Sequence, residues 1–147
     1  MGNHLLRIGS TYLPVSDVKR ATDWYVTKLN AELSYQDQQK AILNMANQSF
    51  FLVKAKEKES ANFYDSEGKE CFSLTFEVDG LAALEKLRDD FISENIPVGE
   101  LENRGHAGRN FVFSDPDGNL FDVWSEISPE FKERYLIPNP IGGEEGD

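Results

Sequence analysis

The feature that most restricts this chain is a repeated order of elements. From about residue 5 the pattern reads as a strand, a helix and three short strands; from residue 71 it reads the same way again. Val15-Ser16-Asp17 is matched 63 positions on by Val78-Asp79-Gly80, and at the same offset Ser10 matches Ser73. A repeat of this kind has one helix to cover one face of each sheet, so the other face must pack on something or line a cleft. The expected fold class is α+β: two tandem β-α-β-β-β units forming curled mixed sheets around a cleft. The units are placed at about 5–54 and 71–126, with a linker over 55–70, inside one domain of residues 1–126. A short helix and an acidic tail expected to be disordered make up 127–147. With 39% hydrophobic residues, 147 residues can bury one shared core.

The local signals are specific. Leu6 to Val15 reads as a first strand, interrupted by Gly9, with Pro14 marking its end. Asp17 is placed to cap a helix from Val18 to Leu29, whose apolar positions (Val18, Ala21, Trp24 or Tyr25, Leu29) recur at helical spacing; Asn30 stops it. Strands over 31–36, 40–45 and 49–54 follow, with connections too short for anything but antiparallel neighbours. The linker is charged and carries Phe63 and Tyr64. In the second unit a strand is expected over Cys71–Val78, with Asp79 capping a helix from Gly80 to Ile92. A short strand over Pro97–Leu101 and a loop holding His106 come next. Phe131 and Tyr135 stand at i,i+4 in the last short helix.

The closing hairpin carries the functional question. Phe111 and Phe113 share one strand face; Phe121 and Val123 share one face of the return strand, with Leu120, Asp122 and Trp124 on the other. Between them Asp115-Pro116-Asp117-Gly118-Asn119 makes a tight turn. Asp122 is a carboxylate in an aromatic strand, so it faces either solvent or a cavity.

Composition removes several function classes. There are 26 acidic against 15 basic residues, a formal charge of −11. That excess disfavours nucleic acid and favours cationic ligands. A single cysteine, Cys71, excludes an intrachain disulfide. No apolar run reaches membrane-spanning length and no signal peptide opens the chain, so a cytoplasmic protein without membrane contact is expected.

Two passages resemble a known family. Leu13-Pro14-Val15-Ser16-Asp17-Val18-Lys19-Arg20-Ala21-Thr22-Asp23-Trp24-Tyr25 is similar to the opening strand and helix of the glyoxalase, bleomycin-resistance and extradiol-dioxygenase superfamily, the vicinal-oxygen-chelate fold. Phe111 to Asp122 is similar to its closing hairpin. The resemblance covers roughly Leu5 to Glu126. It implies a ligand set of His, Gln or Glu at four places. Here these are matched by Ser10, by Phe51 or Leu52, by Ser73 and by Asp122. Only Asp122 suits a divalent ion, since such a site needs three or more converging N or O donors. The expectation is therefore no metal site and no cofactor. His4 lies at the chain end and His106 in a loop, outside those positions.

The candidate ligand-binding residues are Ser10, Tyr12, Phe51, Ser73, Arg109, Phe111, Phe113, Asp122 and Trp124; no catalytic residue is assigned. Arg109 is read either as a brace to Asp115, Asp117 or Glu102, or as a clamp on a ligand carboxylate or phosphate. The aromatic residues would stack a flat or cationic ligand. The first functional reading is a small-molecule binding protein resembling bleomycin-resistance proteins. The alternatives are a metal-dependent lyase or isomerase resembling glyoxalase, or a protein-interaction module. A homodimer is expected.

Overall fold

The computed structural model describes residues 4–136. The elements are β1 (Ser10–Val15), α1 (Val18–Leu29), β2 (Glu32–Gln36), β3 (Lys40–Met45), β4 (Gln48–Lys54), β5 (Phe63–Tyr64), β6 (Glu70–Cys71), β7 (Thr75–Glu77), α2 (Leu81–Ser93), β8 (Asn110–Ser114), β9 (Leu120–Trp124) and α3 (Pro129–Phe131). A π turn over Lys132–Leu136 follows α3, and the Phe131 and Tyr135 rings meet there at 4.9 Å. The acidic tail beyond Leu136 lies outside the described residues, as does the start of the chain before His4.

The local rules set α1. Asp17 has extended backbone and accepts from the Arg20 N–H at 3.0 Å, which satisfies one of the free donors of the first turn. Val18, Ala21 and Tyr25 are buried along one stripe, and Asn30 ends the helix in the left-handed region at φ 59°. The second helix starts differently. Its cap is Gly80, at φ 108°, with no side-chain bond, so Asp79 does not cap it. Leu84 and Phe91 carry its buried stripe.

The first sheet runs β1-β4-β3-β2, with β1 parallel to β4 and the other pairs antiparallel. The second runs β7-β9-β8, with β7 parallel to β9. The two units are thus present, but the expectation of curled sheets around a cleft is overturned. Both sheets are open, and neither curls or closes. The second unit is short of a strand: the stretch over Pro97–Leu101 makes one isolated bridge, Val98 to Phe113, and Glu102 just beyond it makes another, to Asn110. Its expected opening strand is also broken. Glu70–Cys71 pairs with the aromatic Phe63–Tyr64 of the linker, and pairing with β9 resumes only at Thr75. Residues 5–9 are likewise not strand, and Leu5, Leu6 and Ile8 are exposed.

Packing explains how the open sheets are held. Leu13, Val15, Phe50 and Leu52 of the first sheet share one core with Phe111, Phe113, Phe121 and Val123 of the second. Phe76 stacks between Phe50 and Phe113, at 6.0 and 6.1 Å, and Tyr25 meets Phe121 edge-on at 6.5 Å. Each fully buried ring contributes roughly 1.5–3 kcal/mol of transfer free energy, so truncating Phe121 to Ala would cost about 3–5 kcal/mol. The apolar faces are turned toward each other and the helices. By the period of two, the faces carrying Tyr12 with Phe51, and Asp122 with Trp124, point away from that shared core.

The closing turn also ties the units together. Gly118 supplies the positive φ of 86° that the turn requires. Asp115 is buried and accepts from Tyr25 Oη at 2.6 Å, from Asn119 Nδ2 at 2.8 Å and from the Asp117 and Asn119 backbone N–H groups at 2.9 Å. Asn119 donates onward to the Pro14 carbonyl, and Asp117 receives the Ser16 N–H and hydroxyl.

Candidate functional site

The register decides which residue is the counterpart of Asp122. Tyr12 pairs with Phe51 in the first unit, and Thr75 pairs with Asp122 in the second. Tyr12 and Thr75 are 63 apart, the offset of the repeat. Phe51 is therefore the equivalent of Asp122, while Leu52 faces the core and is buried. Phe51 and Tyr12 stack at 4.7 Å with 11° between the rings on the outward face of the first sheet.

Asp122 stands on the outward face of the second sheet and is only 2% exposed. The loop before β8 covers it. Arg104 Nη2 lies 2.9 Å from Oδ1, and Asn110 Nδ2 donates to Oδ2 at 2.8 Å. The Arg104 contact is off the line of a good hydrogen bond, so Oδ1 has no aligned donor. Arg104 Nε also donates to Glu102 at 2.7 Å, and its guanidinium lies 5.6 Å from the Phe72 ring centroid. Burial pushes the Asp122 carboxyl above the usual carboxylate range, against the lowering pull of Arg104 and Asn110. Burial works to lower the Arg104 pKa, but its hydrogen bond to Glu102 and its close contact with the Asp122 carboxylate outweigh that and raise it.

The loop is fixed at both ends. Glu102 and Asn110 exchange backbone hydrogen bonds, and Trp124 Nε1 donates to the Ala107 carbonyl at 2.8 Å. Gly108 is required there: at φ 79°, a Cβ would stand 2.6 Å from Ser125 Oγ and 2.9 Å from Trp124 Nε1.

The remaining predicted residues scatter. Ser10 is exposed at the start of β1, and Ser73 donates to the Ala61 carbonyl at 3.1 Å. Arg109 bonds through Nη1 to the adjacent Gly108 carbonyl at 3.1 Å; among the described contacts it braces none of the three acids considered for it. His106 meets Trp124 edge-on at 5.8 Å. Phe111 is core. Phe113 lines an apolar hollow of about 270 Å³ with Met45, Phe76, Leu87, Phe91 and Val123. That hollow opens on the core side of the second sheet, opposite Asp122. Arg104, Asn110, Glu102 and Phe72 were not legible as partners of Asp122. The one available signal was an arginine in a Gly-flanked loop beside a buried strand acid.

The donor set of one chain does not suit a metal ion. Ser10 and Ser73 offer neutral hydroxyls, Phe51 a ring, and Asp122 is already paired with a guanidinium. Among the described residues no three of His, Cys, Asp or Glu come together as ligands.

Comparisons with known proteins agree with this architecture. A lactoylglutathione lyase from Agrobacterium tumefaciens superposes with a TM-score of 0.65 at 19% identity, over 83% of this chain and 95% of its own. The fosfomycin resistance protein FosX from Listeria monocytogenes, complexed with Mn(II) and sulfate, superposes with a TM-score of 0.68 at 16% identity, over 89% and 98%. A glyoxalase/bleomycin resistance protein/dioxygenase from Alicyclobacillus acidocaldarius gives 0.62 at 17% identity, over 89% and 96%. No curated protein is a significant match. The sequence model of one family matches residues 7–123, most of the chain, and with the paired units and closing hairpin described above it shows that the chain belongs to the Glyoxalase/Bleomycin resistance protein/Dioxygenase superfamily.

Proposed function

We propose that this chain is an enzyme-type member of the superfamily that takes a small molecule against the Asp122 face of its second sheet. The observation that carries the proposal is Asp122 itself. It is a buried carboxylate with a raised pKa, at the position where the family places its last ligand, and one of its oxygens lacks an aligned donor. Such a group can hold a proton or an opposite charge on a bound molecule.

The relatives favour this reading over the metal-free binding protein expected from composition, because they include a lyase and a Mn(II) complex. Metal-dependent lyase or isomerase chemistry is the specific form they suggest. In this chain an ion would rest on Asp122 plus donors from outside the chain, and no step is routed through one. A second copy is the natural source of the missing wall. The Tyr12–Phe51 face and the Asp122 face both turn away from the shared core, and a homodimer would set one opposite the other.

Two measurements test the proposal. Ligand-observed NMR of a small-molecule library, repeated with Asp122→Asn, should give hits that the substitution abolishes. Hits that survive it, with contacts to Met45 or Phe113, would move the site to the apolar hollow. Sedimentation should show a dimer, and calorimetry with zinc, nickel, manganese and iron(II) should show whether that dimer takes an ion at Asp122.

A further inference from the structure

We infer that the apolar hollow beneath α2 is a binding site for a small uncharged molecule built on one aromatic ring, seated where the second unit lacks the counterpart of Tyr25. The inference is independent of the reading of Asp122. Val123 lines the hollow, so its neighbour Asp122 belongs to the opposite face of the same sheet.

The repeat itself points to the occupant. In the first unit the Tyr25 ring fills the space between α1 and the closing turn of the other unit. It is fully buried, meets Phe121 edge-on at 6.5 Å and donates to Asp115 in that turn. The residue 63 positions on is Arg88. Its side chain is engaged elsewhere: Nε donates to the Gly99 carbonyl at 2.8 Å, and Nη2 lies 3.8 Å from Glu100. α2 thus sends no ring from the Tyr25 position toward the matching turn of the first unit, between β3 and β4. α1 buries Val18, Ala21, Thr22 and Tyr25, whereas α2 buries only Leu84 and Phe91. The hollow lies at that place, bounded by Met45 and Ala46 at the β3–β4 turn and by Leu87 and Phe91 of α2.

Its walls define what fits. Phe91 stands edge-on to Phe113 at 4.7 Å, and Phe76 stacks on Phe113 at 6.1 Å. Such rings favour a further ring in offset or edge-on contact. Glu77 is the one charged residue of the lining, and its carboxylate already receives the backbone N–H and the hydroxyl of Ser128. An anion would find no cation there, and any charged group would lose its hydration for little return. Water, too, has few partners in such a space. At about 270 Å³ the hollow falls below the ~300–1,000 Å³ of sites that enclose drug-sized molecules, which leaves room for a single ring. Ala46 is exposed at the rim, so the ring can enter from solvent beside the turn.

Toluene is the probe, and the methyl group of Met45, one of two methionines, is the reporter. With methyl-labelled methionine and leucine in the unmodified protein, toluene should shift the Met45 resonance saturably and give NOEs to the Met45 and Leu87 methyls. Leu87→Trp places in the hollow the bulk of Trp24, its counterpart 63 positions back. That variant should bind toluene roughly tenfold more weakly or worse. Benzoate, the same ring with a charge, should leave the Met45 methyl in place. The inference is overturned by the lack of a saturable shift, by NOEs to the Tyr12–Phe51 face in place of Met45, by an affinity that Leu87→Trp leaves unchanged, or by benzoate binding as tightly as toluene. The NOEs in the unmodified protein decide the matter even if Leu87→Trp does not fold. Toluene has no group for the Asp122 carboxylate, so its failure would leave the Asp122 reading untouched.

Discussion

Asp115 and Asp122 stand in the same hairpin, seven residues apart, and both are buried, yet they are built for different work. Asp115 accepts four hydrogen bonds, two on each oxygen, from Tyr25, Asn119 and two backbone N–H groups. Asp122 has one aligned hydrogen bond and one ion contact off its line, beside an amide oxygen with no donor at all. Burial raises the pKa of both. The difference lies in saturation. A carboxylate with every lone pair engaged holds the chain together and has nothing to offer a ligand. One held by a single aligned hydrogen bond and an ion contact keeps capacity for a further donor.

The sharpest way to break this comparison is to remove Asp115. Asp115→Ala leaves the Tyr25 hydroxyl, the Asn119 amide and two N–H groups without their acceptor. The expected loss is about 3–5 kcal/mol of unfolding free energy, read by urea titration. A loss under about 1 kcal/mol would mean that the turn is not what joins the units.

Gly108→Ala comes next. Its Cβ would collide with Ser125 and Trp124 at a positive φ, for an expected cost of about 1–3 kcal/mol. Because Gly108 anchors the loop that presents Arg104, this variant should also increase hydrogen exchange at residues 103–107. Unchanged exchange there would separate the anchor from the cover.

Tyr25→Phe removes one of the donors to Asp115 while keeping the ring against Phe121. It should cost about 1–2 kcal/mol. Burial, then the charge of Asp115, raises the Tyr25 pKa, so the phenol stays protonated and donating across the neutral range.

The smallest stability effect is expected from Asp122→Asn, within about 1 kcal/mol at neutral pH. Its pH dependence carries more information. The native pKa of Asp122 lies above its unfolded value, so the native state binds the proton more tightly. That contribution to stability is complete below the unfolded pKa and is lost as pH rises through the raised native one. The unmodified protein should therefore lose stability relative to Asp122→Asn over that rise, and the two should run parallel above it. A loss of stability relative to Asp122→Asn on acidification instead would show that Arg104 and Asn110 outweigh burial, and the contrast with Asp115 would disappear.

Much of the local structure was legible in the chain itself. The strand–helix order of both units, the Asp17 cap, the left-handed stop at Asn30 and the positive φ at Gly118 follow from near-neighbour sterics and hydrogen bonding. Those act over four or five residues, so their signals sit in the sequence. The alternation that puts Phe121 and Val123 inward and Asp122 outward is equally local. The start of the second helix was misread because Asp79 has the right chemistry one residue too early, where Gly80 takes the cap with a backbone angle closed to a side-chain residue.

The partners of the buried groups are another matter. Tyr25 meets Asp115 across 90 residues, and Asp122 is closed over by Arg104 from a loop with no periodic pattern to announce it. Whether the sheets curl was likewise not written in their strands. It depended on Pro97–Leu101, which makes one isolated bridge rather than a ladder, and on where the apolar faces found one another. The sequence by itself determined the order of the units, the cap and stop of the first helix, the closing turn and the two faces of each strand, because those are set by covalent geometry and adjacent residues. Only the tertiary structure decided that the units share one core with their other faces turned outward, and that Asp122 lies buried beneath an arginine, because those follow from the packing of segments far apart along the chain.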